Sequence, residues 1–592
     1  MISTLELPEE TKQRWKPRDI WCALAGLVSL ALAVGAASAV TLPVTSDLGL
    51  VAMLPWPFWV GVVLLNVAFA AALRGDAVGP AHRVVMLWLV VVLVLVLFGT
   101  ALFVTDVPRG EVAFRHLGIA DALSDMQRVD PGIDAYFNWP GFFALLATLL
   151  AATGLDPVSV ALWAPVLNVF LWLAAVGVVM RYLTNDPRRR WLVLWIFCLG
   201  NWQDQDYLSP QAFGVFLYLV IVALLVGPLA ALPPRFRGFR RADLAAWWQE
   251  RRPADSRPGH RVAALAMVLL LVVVIFASHQ LTPFMVLFAI TTLTLSGRVW
   301  PSQLPLITAV VLVLWFVYPA SAYLAGHPPI EDAGFQGAVA TNVVERVGGT
   351  PGHLLVVQLR VGLTVVLWLL AAAGAVREWR RRRLDIRVAI LAAAPLMLFP
   401  VQSYGGEMLI RVSLFALPFI ALLACSALLP PDGSLRLSIR RAAALVLTFV
   451  VLAVLNVTGR FGNAEYDLFS DSEMAAVTAV QSLAPPGSVI ISAAHPTPWR
   501  DQTYLEHQYR TIDDLCSPDL SAATCGPIVY NFVRHNAQGG FLMFLRSSEA
   551  SIVLQGESTT EGFAELEEWL DAQNGVRLAF SNAEARVYRM TP

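Results

Sequence analysis

Charge is what this 592-residue chain has little of. Only 14% of its residues are Asp, Glu, Lys or Arg, against about 25% in a soluble domain. Lysine is almost missing: Lys12 and Lys16 stand alone, and arginine supplies nearly every other positive charge. The formal net charge of −1 leaves no global basic field for a nucleic-acid partner. Cysteine is scarce, five in all, and no Cys/His group has zinc-ligand spacing. There is no internal repeat, no low-complexity linker and no phosphate-cradling glycine-rich loop. What abounds is hydrocarbon. The chain is 57% hydrophobic with a mean hydropathy of +0.62, which makes it a polytopic membrane protein. Its Arg, Ala, Val and Gly usage suits a high-GC bacterial genome, and with it a plasma (inner) membrane. No cleavable signal peptide is expected, because the first apolar run, Ile20–Leu42, is too long for one.

A spanning helix takes ~20 apolar residues. Candidate runs begin at Ile20, Met53, Val84, Val158, Trp191, Pro210, Val262, Leu281, Leu304, Leu354, Val388, Val412 and Ala442. The segment Trp139–Ala152 is apolar but short, and opens Trp-Pro-Gly. Arginine-rich loops lie at Arg14–Arg18, Arg74–Arg83, Arg181–Arg190, Arg235–Arg261, Arg377–Arg387 and Arg436–Arg441. All of them fall inside if Trp139–Ala152 is re-entrant or interfacial rather than spanning. The expected architecture is therefore α-helical, with about thirteen transmembrane helices. A cytoplasmic tail covers 1–19 and a transmembrane body covers 20–458. From 459 to 592 the chain turns polar and alternates helix and strand signals, Ser472–Leu483, Ser488–Ser492, Thr560–Asn574, Arg577–Phe580 and Ala585–Arg589. That pattern predicts a small extracytoplasmic α/β domain. Cys516 and Cys525 fall in it, close enough to bridge in an oxidising compartment.

On this layout the acids, amides and histidines gather on the outer face. The first outer loop, Thr105–Asn138, carries Glu111, His116, Asp121 and Asp134. Such groups suit general-base work, which needs a titratable group held against a substrate hydroxyl. A second outer loop reads Asn201-Trp-Gln-Asp-Gln-Asp-Tyr-Leu-Ser209. Carboxylates beside a bilayer are costly, so Asp204, Asp206 and Tyr207 mark a functional site. Asp-X-Asp spacing lets two carboxylates meet a hard cation such as Mg²⁺ or Mn²⁺, although a site that needs no metal fits the pattern equally. Ser209-Pro210 reads as an N-cap and first turn. The turn His279-Gln280 and the pair Glu407/Arg411, four apart on one helix face, complete the set. Arg411 is placed to clamp a phosphate. Asn456-Val457-Thr458 fits a glycosylation sequon but sits at a membrane edge, where it carries little weight.

This ordering resembles the GT-C superfamily of integral-membrane glycosyltransferases. They share a long first outer loop with a catalytic acid, a re-entrant or interfacial segment after it (here Trp139-Pro140-Gly141), and an Asp-X-Asp-like second motif (here Asp204-Gln205-Asp206). Many end in an extracytoplasmic domain. The resemblance implies a polyprenyl-phosphate-linked sugar donor, a glycan, lipid or protein acceptor, membrane lipids as surroundings and a role in cell-envelope glycan assembly. This chain departs from the family in placing more than the usual one helix before the first long loop, and in lacking an obvious acid pair at that loop's start. The alternatives are a polysaccharide polymerase or O-antigen-ligase-type enzyme, built on outer Arg and His, and a lipid or glycan transporter. A transporter should carry polar residues at span midpoints, and here they collect at one face.

Overall fold

The structure, a computed structural model, describes residues 15–75, 79–232, 252–255, 257–326, 348–399, 407–430, 437–517 and 519–592. Most of the expected loops Arg235–Arg261, Ala325–His353 and Gln402–Arg411 lie outside the described residues.

Among the described residues, eight helices are long and apolar enough to cross a membrane: α1 (Pro17–Ala37), α2 (Trp56–Arg74), α3 (Pro80–Phe98), α6 (Pro157–Leu183), Pro258–Ser278, Pro351–Arg380, Met408–Leu428 and Ile439–Phe461. Between them lie α4 (Glu111–Met126), α5 (Gly141–Thr153), α7 (Pro187–Gly200) and α8 (Pro210–Val226). Five further apolar helices, α5 and α8 among them, are shorter. The 13 residues of α5 reach ~20 Å, short of a ~30 Å hydrocarbon core. α7 has 14 residues, carries three arginines in its first turn, and is fully buried from Trp195 to Gly200. Proline occupies the first turn of α1, α2, α3, α6, α7 and α8. Its missing N–H has no helical partner to lose there, so the residue that breaks helices also starts them.

Burial separates centre from periphery. Most residues of Met408–Leu428 are buried and few of Pro351–Arg380 are. Hydrocarbon does not drive apolar helices together inside lipid, so small residues and polar contacts do. A Cβ on Gly374 would lie 1.9 Å from the Leu423 carbonyl oxygen, so these two helices touch backbone to backbone. Asn66 of α2 accepts from Trp195 Nε1 of α7 at 3.1 Å.

The C-terminal domain is a five-stranded sheet. Its strands are β1 (Val489–Ser492), β2 (Gln508–Thr511), β3 (Gly540–Leu545), β4 (Val576–Ser581) and β5 (Ala585–Met590). Their spatial order is β2-β1-β3-β5-β4. β1 pairs in parallel with β2 and β3, and the hairpin β4–β5 joins antiparallel. Alternate residues of β1 and β3 feed two cores. Val489, Ile491, Leu542 and Phe544 pack with helices Ala522–Arg534 and Thr560–Asp571. Ile490, Phe541, Met543 and Leu545 pack with Asp471–Leu483. β1 and β3 are buried on both faces, which is why β3 reads as a plain apolar run without strand alternation. Cys516 and Cys525 form a disulfide with Cα atoms 5.3 Å apart, in the normal range.

Arg546 fastens this domain to the membrane part. It donates to the carbonyls of Val44, Glu465 and Leu468 and pairs with Glu473 and Glu584. Helix Ile439–Phe461 continues past residue 459, so the membrane helix feeds the domain without a break. Asn456 is buried inside that helix and donates to the Cys198 carbonyl. It is therefore inaccessible to a modifying enzyme.

Candidate active site

The second polar loop, between α7 and α8, is held from several sides. Asn168 of α6 donates to the Asp206 and Tyr207 carbonyls at 2.8 and 3.2 Å. Trp202 donates to Thr364 at 3.0 Å and Gln203 to Ser413 at 3.3 Å. Ser209 caps α8 through the Ala212 N–H, with Pro210 in the first turn. Asp204 adopts a left-handed conformation, φ 57°. That region is sparsely populated for residues other than glycine and collects at sites where surroundings impose it.

This loop meets the start of the first polar loop and the end of helix Ile439–Phe461. Arg109 pairs with Asp204 at 2.6 Å and Asp467 at 2.9 Å, and donates to the Arg460 carbonyl. Arg460 grips both oxygens of Asp206, at 3.1 and 3.0 Å, reaches Asp204 at 3.2 Å, and lies over the Phe98 ring at 4.4 Å. Asp206 and the Arg460 side chain are essentially sealed, 1% and 3% exposed, whereas the Asp204 side chain is 36% exposed. Burial opposes the charge on Arg109, but the carboxylates of Asp204 and Asp467 outweigh it and hold the guanidinium protonated. Arg360 lies within electrostatic reach of Asp204 and Asp467.

A cavity of about 190 Å³ opens here, lined by Arg109, Asp204, Tyr207, Glu407, Arg460 and Asp467. Its other wall is apolar, with Phe98 at the end of α3, Leu102 just beyond it, and Leu162 and Pro165 on α6. Pro165 removes the helical hydrogen bond to the Ala161 carbonyl, at the level of the cavity. Glu111 sits between Gly110 and Val112, both on the cavity wall. Burial, reinforced by the nearby Asp467 charge, raises its carboxyl pKa to about 7.

A second polar group adjoins the first. Arg411 pairs with Glu407 at 2.6 Å and with the Gln211 amide oxygen. Tyr207 lies within electrostatic reach of Arg411, Glu407 and Glu111, and burial keeps its phenol protonated. Tyr207 also stacks on His116, 5.9 Å between centroids and 10° between planes. His116 is fully buried and its pKa falls to about 4, because burial disfavours imidazolium. Its Nδ1 contacts the Leu208 carbonyl at 2.7 Å. A carbonyl can only accept, so Nδ1 carries the proton and Nε2 is a bare acceptor. His279 has the opposite tautomer. Its Nδ1 accepts from the Thr282 N–H at 3.1 Å, capping the next helix, and Gln280 in the same turn is also engaged.

Two sequence candidates fall elsewhere. Asp134 pairs with Arg115, accepts from Tyr504 of the C-terminal domain at 2.7 Å and caps Tyr136 N–H. Arg115 holds its carboxyl below the ordinary range against the pull of burial. Asp121 is on an exposed face, toward Asp125 and Asp501. The Asp204 and Asp206 oxygens that suggest a hard cation are turned to two guanidinium groups, which supply the counter-charge a metal would bring. Among the described residues one three-ligand group, His495, Asp513 and Asp514, lies apart in the C-terminal domain. Sequence reasoning missed Arg109, Arg460 and Asp467. Arg460 left one signal: it is the only charge between Arg441 and Glu465.

No protein-family model matches the chain, and no curated protein sequence matches it. Solved structures are similar at low identity. An oligosaccharyltransferase of Archaeoglobus fulgidus tethered to an acceptor peptide aligns at 12% identity and TM-score 0.44, covering 90% of this chain and 74% of that one. ArnT from Cupriavidus metallidurans bound to undecaprenyl phosphate aligns at 13% and 0.45, covering 86% and 98%. The archaeal oligosaccharyltransferase AglB, with an inhibitory peptide and a dolichol-phosphate, aligns at 10% and 0.46, covering 88% and 72%.

Proposed function

We propose that the protein is a membrane glycosyltransferase. It moves a sugar from a polyprenyl-phosphate donor to an acceptor hydroxyl on the extracytoplasmic face, in cell-envelope glycan assembly. One observation carries the reading: a single cavity has an ion-paired acid wall and an apolar wall, and Glu111, between two of its lining residues, has a carboxyl poised near neutral pH. The apolar wall suits a prenyl chain and the polar wall a sugar phosphate. The acceptor oxygen attacks the anomeric carbon as the bond from that carbon to the phosphate oxygen breaks. Glu111 takes the acceptor proton, since a base works best with a pKa near the working pH. Asp204, ion-paired to both Arg109 and Arg460, fixes the two guanidinium groups in place. Arg109 and Arg411 face the charge that grows on the departing phosphate, and preorganised donors of this kind commonly contribute roughly 3–4 kcal/mol each. Burial disfavours the charged form of His116, and His279 Nδ1 is taken up at the start of the next helix, which favours acid chemistry over a ligase type built on cationic His.

The test uses purified full-length protein with a labelled polyprenyl-phosphate sugar. Release of polyprenyl phosphate and transfer to an acceptor, both lost in Glu111→Gln and Asp204→Asn, is expected. Undiminished transfer in both variants overturns the assignment of the site. A protein that binds no polyprenyl phosphate at all overturns the function.

A further inference from the structure

The helices that hold the cavity carry a second concavity at their other ends. A groove of about 470 Å³ runs between α3, α6 and α7, with Arg83, Arg181 and Arg190 at its rim and Leu87, Leu173 and Leu194 along its wall. Fifteen residues separate Arg83 from Phe98 of the cavity on α3, which is ~22 Å of helix. The groove is therefore a separate site at the opposite membrane edge.

Its arginines differ from their neighbours. In the run Arg188-Arg189-Arg190, the first donates to the Gly75 carbonyl at 2.8 Å and the second pairs with Glu378 at 3.2 Å. The third turns to the groove, held through Nε on the Thr184 carbonyl at 2.9 Å. No carboxylate stands among the lining residues described. α3 and α7 both begin here, and helix N-termini add partial positive charge. Space for a ligand is present along the wall. A Cβ on Gly177 would meet nothing within 4 Å. Charge that served orientation alone would need neither convergence nor an apolar trough below it.

We propose that this groove binds an anionic phospholipid, with the headgroup phosphate on the three guanidinium groups and an acyl chain along Leu87, Leu173 and Leu194. Inorganic phosphate shares the headgroup chemistry but would leave the apolar wall unused, so the occupant is lipid. Three convergent cations without a lining carboxylate select a net negative headgroup over a zwitterionic one.

Native mass spectrometry of the full-length protein in detergent, titrated with phosphatidylglycerol or phosphatidylcholine, tests this. Phosphatidylglycerol is expected to be retained preferentially. A variant with Arg83, Arg181 and Arg190 all replaced by Gln should lose that retention by on the order of 100-fold, at roughly fivefold per cation. Because those arginines also orient the chain, Gly177→Trp provides the second arm: it keeps every charge, fills the trough and should lower retention at least about tenfold. Equal retention of both lipids, or wild-type retention in Gly177→Trp, overturns the proposal. Displacement of the lipid by millimolar sodium phosphate would make it a free-phosphate site and overturn it as well.

Discussion

At the cavity end of α3, α6 and α7, Arg109, Arg411 and Arg460 are largely buried and each is matched to a carboxylate; of the groove arginines, Arg83 and Arg181 are exposed and Arg190 is half-buried, and no carboxylate stands among the lining residues described. Arg460 has both oxygens of a sealed Asp206, and Arg109 has Asp204 and Asp467. Arg83 and Arg181 stand on the surface. Solvation makes the difference. A charge removed from water must be repaid by a partner, and stripping that partner costs about 3–5 kcal/mol. A surface charge keeps its water and gains at most about 1 kcal/mol from a partner. Pairing therefore reports depth, and the dense pairing around Asp204 marks charge kept in place against its desolvation cost.

The comparison breaks most visibly at Arg460. Arg460→Met should destabilise the protein by about 3–5 kcal/mol, because it leaves Asp206 buried and unpaired. The measurement is detergent-solubilised thermal unfolding, with Arg83→Met as a control expected within about 0.5 kcal/mol of wild type. Equal effects would mean the two ends do not differ in depth. Next in size is chemistry. Asp204→Asn should cut sugar transfer by roughly 10²-fold or more with little loss of thermal stability, since this carboxylate is partly exposed.

Glu111 sharpens the comparison through pH. Its ionised form is the base, so transfer should rise with pH through about 7 and then level. Glu111→Gln should flatten that limb and lower the plateau by about 10²-fold. Folding raises this pKa, so the folded state holds the proton more tightly than the unfolded chain. Stability should therefore fall as pH rises from the ordinary carboxylate range to about 7, and Glu111→Gln should remove that part of the slope. A pH profile unchanged by the substitution would assign the limb to another group. The smallest effect is a label rather than an energy. With Cys22, Cys198 and Cys425 buried, an impermeant maleimide on intact cells should reach Ser124→Cys beside the cavity end and not Asn185→Cys beside the groove end. The reverse result would invert the membrane orientation.

Much of the fold is legible in the amino-acid order. Long apolar runs must become buried or lipid-facing helices, because a backbone without water has to satisfy its own hydrogen bonds. Ser209-Pro210 announces the start of α8, and Glu407 and Arg411 meet because i and i+4 share a helix face. The sheet is harder to read. β4 and β5 set polar residues between apolar ones and are recognisable, whereas β3, buried on both faces, looks like any apolar stretch. The ion-pair hub is not legible at all, since Arg109, Asp206 and Arg460 are brought together across 351 residues of sequence.

Periodicity, helix starts, the Cys516–Cys525 proximity and the gathering of acids in two polar loops follow from the chain alone, because each depends on near neighbours or on the cost of charge in hydrocarbon. Which acids carry a partner was decided by packing. Asp134 became a strut to Tyr504, Asp121 stayed on an exposed face, His279 became a cap, and Asp204 was held at φ 57° against two arginines. Partners distant in sequence are chosen by which helix ends converge, and only the folded arrangement of those helices sets that.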